Sequence, residues 1–406
     1  LSALRLGEVP PTAGLPPRFA DLFGGGESRD FGRAIGQLLG VEDVMIEASG
    51  TACLLIAFEH LRRSSARRTV IVPAYTCPLV VLAAARAGLK VIACDTVREG
   101  FELDLHHLER IIGRDALCIV PTHYGGALTD VRRLTSFLAL RSEKIAVIED
   151  AAQAFGATVS GRTVGMDGDI GIFSFGAGKG FTIFEGGCLA SRNTGLMQDL
   201  RAVSRQLTHP APVIEALKCV QLVGYHMLYN PIGLRLVYGA PKRYWLGRGD
   251  EIRAAGDHFD ADFGLHHVGA WRRTVGVRAL PRLAVHLAAA RATFDRICRN
   301  LSDIPNIKVH VPQPHQQPTA TFVFVTLPST ERAVAAITAL WRSRLGVAKM
   351  FAHAIGDYPY LAGKLQPSDT PNARDLARRT ITISTSGILS DREVAFMVGA
   401  LKECAS

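Results

Sequence analysis

From about Phe31 to Asn193 one pattern repeats: an apolar β-branched run, a turn of small residues, then a helix-like stretch. "VEDVMIEASGTACLLIAFEHL" passes from an apolar run through Ser-Gly-Thr into an amphipathic helix. "RTVIVPAY" reads as a buried strand, "LVVLAAARAGL" as a helix and "KVIACD" as the next strand. "ALCIVPTHYGG" and "KIAVIEDAAQAFGA" repeat the theme, each a strand that ends in polar or glycine residues. Strands alternating with helices in this way predict a mostly parallel sheet with helices on both faces. In such a sheet, ligands gather beyond the carboxyl ends of the strands.

With 406 residues, 48% of them hydrophobic, the chain is long enough for two or three domains. Residues 1–30 are rich in Pro and Gly and read as an arm lying extended against another surface. Residues 31–204 form the expected large α/β domain. From 205 to 262 the sequence turns apolar and aromatic but is broken by Pro and charges, as a helical insertion or interface segment would be. Residues 263–406 read as a linking helix followed by a small α+β domain, with a strand in "TATFVFVTLP" and a final helix in "SDREVAFMVGALKE".

The formal net charge of +9 favours anionic partners such as a phosphorylated small molecule. The arginines are scattered and few aromatics lie between them, so the chain does not read as a nucleic-acid binder. Eight cysteines, at 53, 77, 94, 118, 188, 219, 298 and 404, form no C-x-x-C pair. They read as small buried hydrophobes in a reducing cytoplasm, with no disulfide frame and no metal site. The opening residues lack the apolar core of a secretory signal, and no uncharged apolar run reaches membrane-spanning length.

Chemistry concentrates at the strand ends. "FSFGAGKGFTIFEGG", Phe173 to Gly187, holds one lysine among glycines and aromatics. Alone, Lys179 reads equally as a surface charge, a phosphate ligand or an amine held for covalent chemistry. "VIED" places Asp150 at the end of a strand, where it is either a helix cap or a site acid, and Gln153 follows about one helical turn later. "EASGTA" puts Ser49, Gly50 and Thr51 at a strand-to-helix junction, a place suited to an anion. Together these supply what pyridoxal phosphate requires: a phosphate cup, a carboxylate for the ring nitrogen and an amine for a Schiff base.

The order and spacing of "SGTA", "VIVPAYT", "VIEDAAQAFGA", "GRTVGMDGDIGIFSF", the lysine and "EGG" resemble the DegT/StrS family of sugar aminotransferases. The match is dense from Ser49 to Ser191 and thinner in "GVRALPRL" and near the end. The resemblance implies fold-type-I enzymes dependent on pyridoxal 5'-phosphate, acting on keto sugars that are usually nucleotide-linked. Glutamate would be the amino donor, the kinetics ping-pong, and the assembly a homodimer with shared sites. It assigns the Schiff base and the proton shuttle to Lys179, and the pyridinium contact to Asp150. Gln153 falls beside the ring oxygen, and Ser174, Gly50 and Thr51 fall on the phosphate. Family dehydratases carry His in place of this lysine, so Lys179 points to transamination.

Three positions depart from the family pattern. Cys77 stands where an aromatic residue stacks on the ring, with Tyr75 a candidate substitute. Leu265 stands at the partner-subunit Asn and His267 at an Arg, with Asn230 a candidate replacement. These departures keep two further readings open: a pyridoxal-phosphate enzyme acting on a non-sugar ketone or amino acid, and a non-catalytic regulatory relative.

Overall fold

A computed structural model describes residues 6–25, 30–42, 44–141 and 144–405. Parts of the expected arm, residues 1–5 and 26–29, lie outside the described residues. In chain order the first nine strands are β1 (Met45–Glu47), β2 (Thr69–Pro73), β3 (Lys90–Cys94), β4 (Ala116–Ile119), β5 (Ala146–Asp150), β6 (Thr158–Val159), β7 (Arg162–Thr163), β8 (Ile170–Ser174) and β9 (Gly187–Ala190). The C-terminal half adds β10 (Lys308–His310), β11 (Gln316–Gln317), β12 (Phe322–Thr326), β13 (Val347–Ala348), β14 (Leu365–Gln366) and β15 (Thr380–Ser384).

Eight of these strands form one sheet in the order β1-β9-β8-β5-β4-β2-β3-β14. The pairs from β8 through β5, β4, β2 and β3 to β14 are parallel, whereas β9 runs antiparallel to both β8 and β1. All five residues of β2 are buried, as are all four of β4. A strand covered on both faces has no polar side, so it reads as a continuous apolar run. The fold is the mixed α/β architecture expected, a large mostly parallel sheet flanked by helices.

Local chemistry starts and stops the helices. Ser49 caps the Gly50–Ser64 helix by accepting from the Ala52 amide at 3.0 Å. Asp30 caps Phe31–Leu39 through Arg33, and Gly40 ends that helix in the left-handed region at φ +72°, where a Cβ would be strained.

A second, antiparallel sheet runs β10-β12-β15-β13. The Thr330–Leu340 and Asp391–Ala405 helices share its core, which includes Val323, Val325, Trp341, Ile381 and Ile383. The C-terminal part is not confined to this sheet. Its strand β14 pairs in parallel with β3, and Ile355, Tyr358, Leu361 and Leu376 join the core of the large sheet.

Residues 205–262 fold as helices Pro212–Leu228, Pro231–Leu234, Ala240–Gly247 and Glu251–Ala255, with a π turn at Arg235–Gly239. The arm and this segment cover each other. Glu8, fully buried, pairs with Lys242 Nζ at 2.9 Å and Arg243 at 2.6 Å, and Gly14 meets the Tyr229 hydroxyl at 3.3 Å. Among the described residues, no helix is long and apolar enough to cross a membrane.

Candidate active site

Strands β2, β4, β5 and β8 are neighbours in the sheet, and their carboxyl ends deliver Cys77, His123, Asp150 and Ser174 to one edge. Asp150, the last residue of β5, is buried. Its Oδ1 accepts from the Ala152 amide at 3.1 Å. Burial raises its pKa, opposed by that N–H, by the Lys179 ammonium and by His123. Cys77 stands at the N-cap position of the Pro78–Arg86 helix, just beyond β2. Burial pushes its thiol up to about 12, with Lys179 opposing. The lysine's charge therefore acts on both the carboxylate and the thiol.

Lys179 sits half-buried in the turn after β8. Gly178 before it has φ +82°, a conformation that favours glycine. The N-terminal arm lies over this turn. Thr12 Oγ1 donates to the Gly178 carbonyl at 2.6 Å, and the Leu15 amide donates to Gly180 at 2.9 Å. A Cβ on Gly14 would stand 3.0 Å from the Lys179 carbonyl oxygen.

The start of the Gly50–Ser64 helix leaves the Gly50 and Thr51 amides without intrahelical acceptors. A Cβ at Gly50 would meet Ser174 Cβ at 3.1 Å, and one at Gly187 would meet the Ser49 carbonyl carbon at 2.3 Å. Glycine at both positions lets the helix start, β9 and Ser174 close into one cradle. Ser174 Oγ accepts from the Gly176 amide at 3.4 Å and keeps its proton for another acceptor. Gln153 Oε1 accepts from the Gly125 amide at 3.3 Å. With Lys179, Thr12, Phe322 and Met350, Gln153 borders a cavity of about 30 Å³.

The structure thus brings Lys179, Asp150 and Cys77 into one electrostatic field, Gly50, Thr51 and Ser174 into one cradle, and Gln153 against the lysine cavity.

Residues 20–215 match the model of the DegT/DnrJ/EryC1/StrS aminotransferase family. Over that stretch, just under half of its length, the chain is similar to that family. Family members are pyridoxal-phosphate-dependent sugar aminotransferases. GDP-perosamine synthase of Caulobacter vibrioides is 29% identical over 181 residues, 45% of this chain and 48% of that protein. Protein MosB of Rhizobium meliloti is 31% identical over 173 residues, 43% of this chain and 34% of that protein. The matches to these curated relatives therefore span half of their length or less. Among solved structures, DesI in the presence of its TDP-sugar product aligns with a TM-score of 0.73 at 19% identity, covering 99% of this chain and 94% of that one. The aminotransferase TlmJ from Streptoalloteichus hindustanus aligns at 0.70 and 21%, covering 92% and 89%. At these identities the structural likeness speaks for the fold.

The donor set fits the family's cofactor: one amine, one buried carboxylate, and a cradle of amides and a hydroxyl that any added Cβ would fill. The cavity beside Lys179 has room for about one water, so the donor set carries this fit.

Of the DegT/DnrJ/EryC1/StrS departures, Tyr75 is committed to the core. It is buried, and its ring packs 5.3 Å from Phe351, 5.9 Å from Phe101 and 6.1 Å from Tyr124. Asn230 is spent on capping, accepting from the Ile232 and Gly233 amides and donating to the Met227 carbonyl. Leu265 is buried and its carbonyl accepts from His209, while His267 Nε2 pairs with Thr208 Oγ1 at 3.0 Å.

Two residues beside the site were missed in the sequence. His123 accepts from the Thr129 amide through Nδ1 at 3.3 Å, which puts its proton on Nε2, toward Glu149 at 3.0 Å. Its place in "PTHYGG", just past a strand, was the available signal. Thr12 had none, because its contact is made 166 positions away in sequence.

Proposed function

We propose that this chain is a pyridoxal-phosphate-dependent aminotransferase that carries an amino group from glutamate to a keto sugar. The observation that carries the reading is the Lys179 ammonium acting on a buried Asp150 at the end of the adjacent strand, beside a glycine-lined cradle. Bound covalently through the lysine amine, the cofactor supplies a sink for the electrons of a broken C–H bond. Asp150 holds the proton on the ring nitrogen. Lys179 Nζ would hold the cofactor and would move the proton at the substrate carbon. The Gly50 and Thr51 amides and the Ser174 hydroxyl hold the phosphate. Gln153 stands by the ring oxygen, and Cys77, as a neutral thiol, borders the amine without competing for its charge.

Because one carrier serves two substrates in turn, the kinetics are ping-pong. The names of the relatives, a GDP-sugar synthase and an enzyme held with a TDP-sugar product, support a nucleotide-linked acceptor. A homodimer accounts for the apolar residues that the Pro212–Leu228 helix turns outward, among them Val213, Leu217 and Val220. The free cysteines support a reducing, cytoplasmic site of action.

The test is borohydride reduction of the loaded protein, followed by peptide mass mapping and by the spectral change on adding glutamate. The label should fall on Lys179, and Lys179→Ala should abolish both signals. A label elsewhere, or an Ala variant that turns over at the original rate, would overturn the assignment.

A further inference from the structure

A cavity of about 600 Å³ adjoins the lysine turn, with Thr12 and Gly178 in its wall. The same two residues also bound the small cavity that holds Lys179. Their 2.6 Å hydrogen bond therefore stands between the two spaces. The volume falls within the range of small-molecule sites. Phe184, Tyr225, Leu228, Tyr229, Val237 and Tyr238 make most of the wall, and none of the described residues lining it is charged. Leu228 and Val237 are also exposed, at 38% and 52%, so the mouth has an apolar rim.

Polar groups interrupt this wall at Thr12, Gln221 and the tyrosine hydroxyls, and the Tyr225 hydroxyl and the Gln221 oxygen are both buried with no hydrogen-bond partner among the described residues. A buried acceptor left unmet is costly, a deficit that a donor inside the cavity would remove. A carboxylate or phosphate would find no counter-charge there and would be disfavoured. The wall suits a hydrocarbon chain that carries a neutral hydroxyl or amide.

We propose that this cavity is a subsite for such a chain on the substrate, with the chain running past Thr12 and Gly178 from the group that meets Lys179. The link to the substrate rests on the amino-transfer reading; the binding of the chain does not. Gly224 lines the cavity, and a Cβ built there meets nothing within 4 Å. Gly224→Leu would fill the space while improving helix propensity, so the fold should persist.

The experiment is calorimetric titration of the cofactor-loaded protein with farnesol. One saturable site per chain is expected, weakened at least tenfold in Gly224→Leu and unchanged in Val285→Ser, which alters an exposed residue on another helix. Circular dichroism confirms that the variants are folded. Flotation with phosphatidylcholine vesicles would assign the chain to a membrane lipid; farnesol binding without flotation would assign it to a soluble apolar substituent. Absent or non-saturable binding, equal binding by Gly224→Leu, or a weakened dimer in that variant without farnesol binding would overturn the proposal. Spectral conversion by glutamate, measured separately on the unaltered protein, reports on the amino-transfer reading alone.

Discussion

Glu149 and Asp150 are consecutive on β5 and serve opposite faces of the sheet. Glu149 accepts from the Gly165 amide at 2.9 Å, from the Asp167 amide at 2.6 Å and from the Gly168 amide, and it pairs with His123. Asp150 faces the lysine's charge. The two-residue period of a strand separates a carboxylate that holds a loop from one available for chemistry. Substitutions at the two positions should therefore fail in different ways.

Asp150→Asn should remain folded and keep the cofactor, because the phosphate cradle is elsewhere and the amide oxygen still accepts from Ala152. Without an anion at the ring nitrogen, single-turnover conversion with glutamate should slow on the order of 10²-fold or more. Unchanged kinetics would reduce Asp150 to a cap.

Glu149→Gln should instead lose stability, by roughly 2–4 kcal/mol. Its neutral amide replaces a charged acceptor, and its NH₂ meets amide donors it cannot accept from. Denaturant unfolding measures this, and a shift below about 1 kcal/mol would contradict the loop-holding role.

Glu8→Ala leaves Lys242 buried without its partner carboxylate. Burial already lowers the Lys242 pKa against the pull of Glu8. A loss of about 3–5 kcal/mol is expected from breaking a buried pair on one side. Limited proteolysis should then cut the arm faster than in the unaltered protein.

Asp257 gives a pH dependence of defined sign. Its carboxylate accepts from the Tyr358 hydroxyl at 2.7 Å and the Ala352 amide at 2.6 Å, yet burial pushes its pKa up to about 6. The folded state then holds a proton that the unfolded chain releases near pH 4. This group's contribution is present below pH 4 and is lost as pH rises through 6. The unaltered protein should lose up to about 3 kcal/mol relative to Asp257→Asn between pH 4 and pH 7. Paired denaturant melts at the two pH values check this; an Asp257→Asn advantage over the unaltered protein that grows toward acid would reverse the sign.

The sheet was legible because β2, β4, β5 and β8 are continuous apolar runs broken by small residues. The proposed site residues that the sequence singled out sit at or just past strand ends: Asp150 ends β5, Ser174 ends β8 and Lys179 lies in the turn after β8. It was opaque where contacts bridge distant segments. β14 is two residues long and adds to the large sheet only because residues around Ile355 and Leu376 bury themselves there, a tertiary preference that no local pattern encodes. Tyr75 looked like a replacement ring because an aromatic was missing at Cys77, yet its neighbours Phe101, Tyr124 and Phe351 come from three separate segments.

The arm that roofs the lysine turn has a consequence for how the molecule is made. Val9 bonds to Arg344, Ala13 to Thr321, and Glu8 to Pro231. During synthesis these early residues emerge long before the backbone they pair with. At about 5–20 residues per second, the arm waits on the order of tens of seconds on the ribosome with its anchoring partners unbuilt. The arm's further anchors at Pro231, Thr321 and Arg344 exist only once the C-terminal half is made, so a nascent chain presents the Lys179 turn under a less firmly held arm than the finished protein does.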